Sequence, residues 1–66
     1  MEKKIYVLDM DDDATATKVE SAVKAVSGVN SVVASAAKCQ IFVDIDDTAE
    51  DAVNAAIESC GVTIIG

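Results

Sequence analysis

Lys4-Ile5-Tyr6-Val7-Leu8-Asp9-Met10-Asp11-Asp12-Asp13-Ala14-Thr15 is the stretch that decides the fold, because the hydrophobic period changes inside it. Over residues 4–10, Ile5 and Val7 alternate with Tyr6 and Leu8, the spacing that sends successive side chains to opposite faces of a strand. From Thr15 the period lengthens: Thr15, Val19, Ala22, Val23 and Val26 recur at helical spacing and leave Lys18, Glu20 and Lys24 outside the stripe. A strand, an acidic loop and an amphipathic helix are thus expected in immediate succession. Asp11, Asp12 and Asp13 all suit the helix start, since a carboxylate there accepts unpaired backbone N–H groups and complements the positive end of the helix dipole. Ser27-Gly28 marks the helix end, where glycine tolerates the left-handed backbone that closes many helices.

Working outward, residues 29–34 predict a second strand, residues 36–38 a turn, and residues 39–45 a third strand. Ile41, Val43 and Ile45 share one face of that third strand with Cys39, and Phe42 lies on the other. Asp46-Asp47-Thr48 leads into a second helix, in which Thr48 and Asp51 have the spacing of a capping box. Ala49, Val53, Ala56, Ile57 and Cys60 form its apolar stripe, Gly61 ends it, and residues 62–65 supply the last strand. The order βαββαβ predicts an α+β, ferredoxin-like sandwich in one domain over residues 1–66. Right-handed crossovers then give an antiparallel sheet of order 4-1-3-2 with two helices on one face. This topology brings residues 11–13, Cys39 and Cys60 to the same end of the sheet.

A chain of 66 residues buries only roughly 60% of the surface its unfolded form exposes. Its 52% apolar content comes mostly from Ala, Val and Ile, with Tyr6 and Phe42 as the only aromatics, so the core is built from small side chains. A net charge of -7 with five scattered basic residues argues against nucleic acid and against anionic membrane surfaces, both of which need clustered Lys and Arg. The start, Met1-Glu2-Lys3-Lys4, runs into a strand without the apolar stretch of a signal peptide or membrane span, and the expected location is cytoplasmic. Cys39 and Cys60 are too few for a disulfide framework and match no zinc spacing; they read as free thiols.

Several of these features together carry a family resemblance. They are Ile5 and Val7 ahead of Met10, Lys18-Val19-Glu20 in the first helix, Ser27-Gly28-Val29 followed by Val32, and Ala56-Ile57-Glu58 before Gly61. With them the chain resembles a heavy-metal-associated domain, the kind found in copper chaperones and metal-transporting ATPases, over nearly its whole length. The resemblance implies a metal-binding or metal-transport-related domain with a buried methionine, Met10, propping a loop of pattern M-x-C-x-x-C. In this chain the two cysteine positions of that pattern read Asp12 and Thr15. Soft Cu(I) prefers thiolate or thioether donors, so Cu(I) transfer through this degenerate loop is not expected, and an Asp there favours Mg, Ca or Mn instead.

Three groups of residues remain as candidate sites. Asp9, Asp11, Asp12 and Asp13 are oxygen donors for a hard cation, although EF-hand spacing is absent and helix capping also accounts for them. Cys39 and Cys60 are a displaced thiolate pair, with Met10 as an auxiliary donor, or else ordinary core thiols. Tyr6, Leu8, Val33 and Phe42 point away from the helices, as a surface for a homodimer or a protein partner, or as scattered apolar residues of an open sheet face. The acidic balance favours a partner with a basic surface. Without His, a nucleophile beside an evident base, or a Gly-rich phosphate loop, the chain is not expected to be an enzyme.

Overall fold

Alternation in β1 (Glu2–Leu8) sends Ile5 and Val7 inward and leaves Tyr6 and Leu8 exposed, as the period of two requires. The computed structural model describes residues 1–66 and continues with α1 (Asp13–Lys24), β2 (Val29–Ser35) and β3 (Gln40–Ile45). A 3-10 turn (Asp47–Ala49) leads into α2 (Glu50–Ser59), and β4 (Thr63–Ile64) closes the sheet. The strands lie in the order β2-β3-β1-β4, all antiparallel neighbours, which is the expected ferredoxin-like arrangement. No helix is long and apolar enough to cross a membrane.

The interior is one cluster between the sheet and the helices. Ile5, Val7, Ile41, Val43 and Ile45 from the strands meet Ala16, Val19 and Val23 of α1 and Val53 and Ile57 of α2, with Met10, Ala49 and Val62 filling the ends. No polar or charged residue is buried. Val and Ile make up most of this layer, and their stiff rotamers suit the pleated surface that supplies half of them. In α1 the innermost stripe runs through Ala16 rather than the expected Thr15, which is half-buried. The helix starts at Asp13 and ends at Lys24, so Val26 lies beyond it and packs on the core from the following turn.

Three local readings of the sequence are corrected. The first strand spans Glu2–Leu8, not residues 4–10, and Asp9 has a left-handed backbone, φ 70°. That conformation, which Asp tolerates better than most residues, shifts the side-chain phase by one position. Asp9 is therefore exposed and Met10 turns inward, to 0% exposure, where plain alternation would have put it on the open face. In the hairpin, Cys39 is not the first residue of β3 but the last of the turn, with φ 48° and its N–H donating to the Ala36 carbonyl at 3.3 Å. A turn without Gly or Asn has thus placed a cysteine in the left-handed region. The expected Thr48 to Asp51 capping box is absent; the Ala49 N–H donates to the Asp46 carbonyl at 2.9 Å within the 3-10 turn, and no side chain caps α2.

Gly28 and Gly61 both have positive φ, 92° and 88°, but their surroundings differ. A Cβ on Gly28 would lie 3.1 Å from the Ala49 Cβ and 3.5 Å from the Asp46 Cβ, whereas one on Gly61 meets open space. Left-handed backbone alone costs an L-residue about 1–2 kcal/mol. Gly61→Ala is expected to lose about that much in a urea unfolding titration, and Gly28→Ala measurably more, because crowding against the start of α2 adds to the strain.

Candidate metal-binding loop

Residues 9–12 leave the end of β1 and pass over the end of the core before α1 begins. Burial of Met10 anchors the loop from below, and Asp9, Asp11, Asp12 and Asp13 face solvent above it. Asp12 is the helix N-cap: its backbone is extended, φ -137° and ψ 164°, and its Oδ1 accepts the Thr15 N–H at 2.7 Å. Of the three acids able to cap, it alone has the N–H of the third helical residue within reach. Donation from the Thr15 backbone, with a smaller contribution from its side chain, holds the Asp12 carboxyl below its ordinary pKa against a slight opposing desolvation. The backbone carbonyl of Asp12 is also engaged, accepting the Ala16 N–H at 3.1 Å.

The cysteines lie on different sides of this loop. Cys39 Sγ, at the end of the β2/β3 turn, is 3.9 Å from the Met10 carbonyl and 3.7 Å from that of Ala36. Cys60, at the end of α2, has its Sγ 3.5 Å from the Ala56 carbonyl and 3.9 Å from the Lys18 carbonyl on α1. Each thiol is half-buried and free. Cys39 thus adjoins the loop itself, while Cys60 adjoins the middle of α1. Nowhere do three Asp, Glu, Cys or His side chains converge in a way that could hold a metal ion.

On the open face, register decides the grouping. Phe42 lies opposite Val33 on one side and Lys4 on the other, while Tyr6 lies opposite Gln40 and Leu8 opposite Thr63. Tyr6 and Phe42 are therefore diagonal neighbours, and a lysine and a glutamine break the apolar surface between them. Tyr6, Leu8 and Val33 are 45%, 50% and 59% exposed, and Ile65 at 58% joins them beside Tyr6 through the Ile65 N–H to Tyr6 carbonyl bond. Ile65 was not among the residues expected there, because the last strand was too short to show an alternation.

The two-layer βαββαβ sandwich, with its acidic loop at the β1/α1 junction, places the chain in the class of small ferredoxin-like α+β domains. Residues 4–63 match the heavy-metal-associated domain, and the chain belongs to that family. Among solved structures it is similar to the CopZ metallochaperone, with 27% identity over 98% of this chain and 100% of that one, TM-score 0.91. It is also similar to the N-terminal domain of ZntA in its Zn(II) form, with 33% identity over 97% of this chain and 88% of that one, TM-score 0.88. The CsoZ metallochaperone, at 16% identity, TM-score 0.90 and coverage of 100% and 97%, shares the fold. No curated protein matches the chain in sequence.

The capping bond makes a prediction for Asp12. Asn caps nearly as well as Asp but carries no charge for the helix dipole, and Ala does neither. The expected order of melting temperature at neutral pH is wild type, then Asp12→Asn, then Asp12→Ala. Because the folded pKa of Asp12 is depressed, its charge stabilises the fold fully above the unfolded value, about pH 4, and the benefit is lost as pH falls through the folded value. The difference between wild type and Asp12→Asn should accordingly shrink in acid melts, while the deficit of Asp12→Ala relative to Asp12→Asn persists.

Proposed function

We propose that this chain is a metal-transport-related member of the heavy-metal-associated family that has given up thiolate ligation in its loop and acts by binding partner proteins. The observation that carries this reading is the hydrogen bond from the Thr15 N–H to Asp12 Oδ1. Asp12 and Thr15 stand where the family pattern has its two cysteines, and here the residues at those positions bond to each other. A metal entering the loop would have to compete for a carboxylate already accepting from the helix terminus, and Thr15 offers no soft donor in return. Family membership and the likeness to a metallochaperone and to a Zn(II)-bound domain support the metal-related setting.

Partner recognition follows from charge. With a net charge of -7, and Asp9, Asp11 and Asp13 exposed around the loop, the end of the domain that carries the loop attracts a basic surface. Association of that kind is faster at low ionic strength and weakens as salt screens it. A second surface, the open sheet face with exposed Tyr6, Leu8, Val33 and Ile65, is the weaker candidate for docking, because Lys4 and Gln40 interrupt its apolar residues.

Cu(I) titration under reducing conditions, in a Cys39→Ser/Cys60→Ser background, isolates the loop. Backbone amide signals of residues 11–15 are expected to stay in place at stoichiometric Cu(I). The further substitutions Asp12→Cys and Thr15→Cys together should create tight Cu(I) binding with large shifts at the same amides. Stoichiometric binding by the parent loop would refute the reading, as would failure of the two-cysteine variant to bind, which would mean that the scaffold itself is unsuited to the site.

A further inference from the structure

The sheet ends in two unlike edges. β4 is two residues long, with its continuation held to β1 by the Ile65 N–H to Tyr6 carbonyl bond at 2.8 Å and the Tyr6 N–H to Gly66 carbonyl bond at 3.1 Å. β2 is a full strand of seven residues with no strand on its outer side. Long free edges invite pairing with another chain, and proteins blunt them by bulges, charges or short length. The first half of β2 is interrupted by a register shift between Val29 and Ser31. Its second half, with Val32, Val33 and Ala34 in register against Val43, Phe42 and Ile41, carries no such interruption.

One contact intervenes there. The Ala34 N–H donates to Glu20 Oε2 at 2.8 Å, a carboxylate reaching across from α1. In an antiparallel ladder, residues alternate between bonding their partner and pointing their N–H and C=O away from it. Because the amide of Ala34 bonds a side chain and not β3, Ala34 and, two residues earlier, Val32 present their peptide groups outward. Glu20 therefore occupies one of the two outward donors on the regular half of the edge.

We propose that the β2 edge is a strand-pairing surface for a second copy of this chain, and that Glu20 keeps it closed by bonding the Ala34 amide. The second copy fits because the edge is self-complementary. Two β2 strands related by a two-fold axis at Val33 would exchange Ala34 N–H to Val32 carbonyl bonds in both directions, each using the donor that Glu20 holds. Val33, 59% exposed on the open face, would meet its own copy at the axis, where opposed side chains are closest. Next to it Phe42, its cross-strand partner, would extend an apolar row through the joined sheet. With the carboxylate in place, a pairing strand finds its donor taken and meets a negative charge from each copy. This inference is independent of whether the loop binds metal.

Sedimentation velocity at moderate salt, over a range of concentrations, tests it on wild type, Glu20→Ala and Glu20→Gln, with Glu20→Ser as a second truncation. Circular dichroism and amide dispersion verify that each is folded. Wild type and Glu20→Gln, whose carboxamide oxygen still accepts from Ala34, are expected to remain monomeric. Glu20→Ala and Glu20→Ser should dimerise, roughly tenfold or more tighter, as expected from two freed hydrogen bonds. In the dimer, amide hydrogen exchange at Val32 and Ala34 should slow, and adding Val33→Lys should restore the monomer. The proposal fails if the folded truncations stay monomeric, or if wild type dimerises equally well. It also fails if Glu20→Gln matches Glu20→Ala, if association leaves the Ala34 amide exchanging freely, or if open-ended aggregates form instead of a dimer.

Discussion

Only one face of the sheet has helices over it, and all of the buried side chains lie in or at the ends of that single layer of Val, Ile, Ala and Met. Everything else in the molecule follows from closing this layer. Each helix contributes only a narrow stripe, Ala16, Val19 and Val23 or Val53 and Ile57, so the helices must sit close to the sheet and the connections at their ends must be short. A connection that crosses the end of the layer must also seal it. Met10 does so at the loop end, and the Gly28 region, pressed against Ala49 and Asp46, does so at the other.

Sealing the loop end has consequences for chemistry. Burying Met10 directly after β1 requires a break in the strand's alternation, and the left-handed Asp9 supplies it. The chain then arrives at α1 with Asp12 extended and positioned as N-cap. Two cysteines at this place would leave the N-terminal amides of the helix without an oxygen acceptor, and their thiolates would be drawn to a bound cation. Asp12 meets the same electrostatic demand with an anionic oxygen of its own, which accepts the Thr15 N–H. The Asp12 cap thus places a negative group over the positive end of α1.

The features legible in the sequence were those with a period. Alternation in β1 and β3, the stripes of α1 and α2, and the resulting order of elements all come from patterns repeated along the chain. The residues quoted for the family resemblance, such as Ile5, Val7, Val19 and Ile57, belong to the same framework. Single-residue conformations were not legible. Asp9 and Cys39 adopt positive φ because the loop and the hairpin must close on their neighbours, and nothing about a cysteine after Lys38 announces that. Three consecutive acids made the choice of cap degenerate, and only the final geometry selects Asp12. At α2, Thr48 and Asp51 have capping-box spacing, but Thr48 lies inside the 3-10 turn and Ala49 takes the N-cap position.

Contacts between residues distant in sequence set the remaining limit. Glu20 reads as one more charge on the solvent side of α1, and its role appears only when the sheet brings Ala34 beside it. The same holds for the open face, where the register, and not the list of apolar residues, divides Tyr6 and Leu8 from Val33 and Phe42 with Lys4 and Gln40. A surface divided in this way gains little from face-to-face packing, since the lysine would have to be desolvated with it. At the β2 edge, by contrast, each backbone group desolvated by strand pairing would acquire a hydrogen bond once the Glu20 carboxylate is displaced from the Ala34 N–H. On the pairing proposed for the β2 edge, the backbone donors of the outer strand that are already taken would govern self-association more than the exposed apolar residues would.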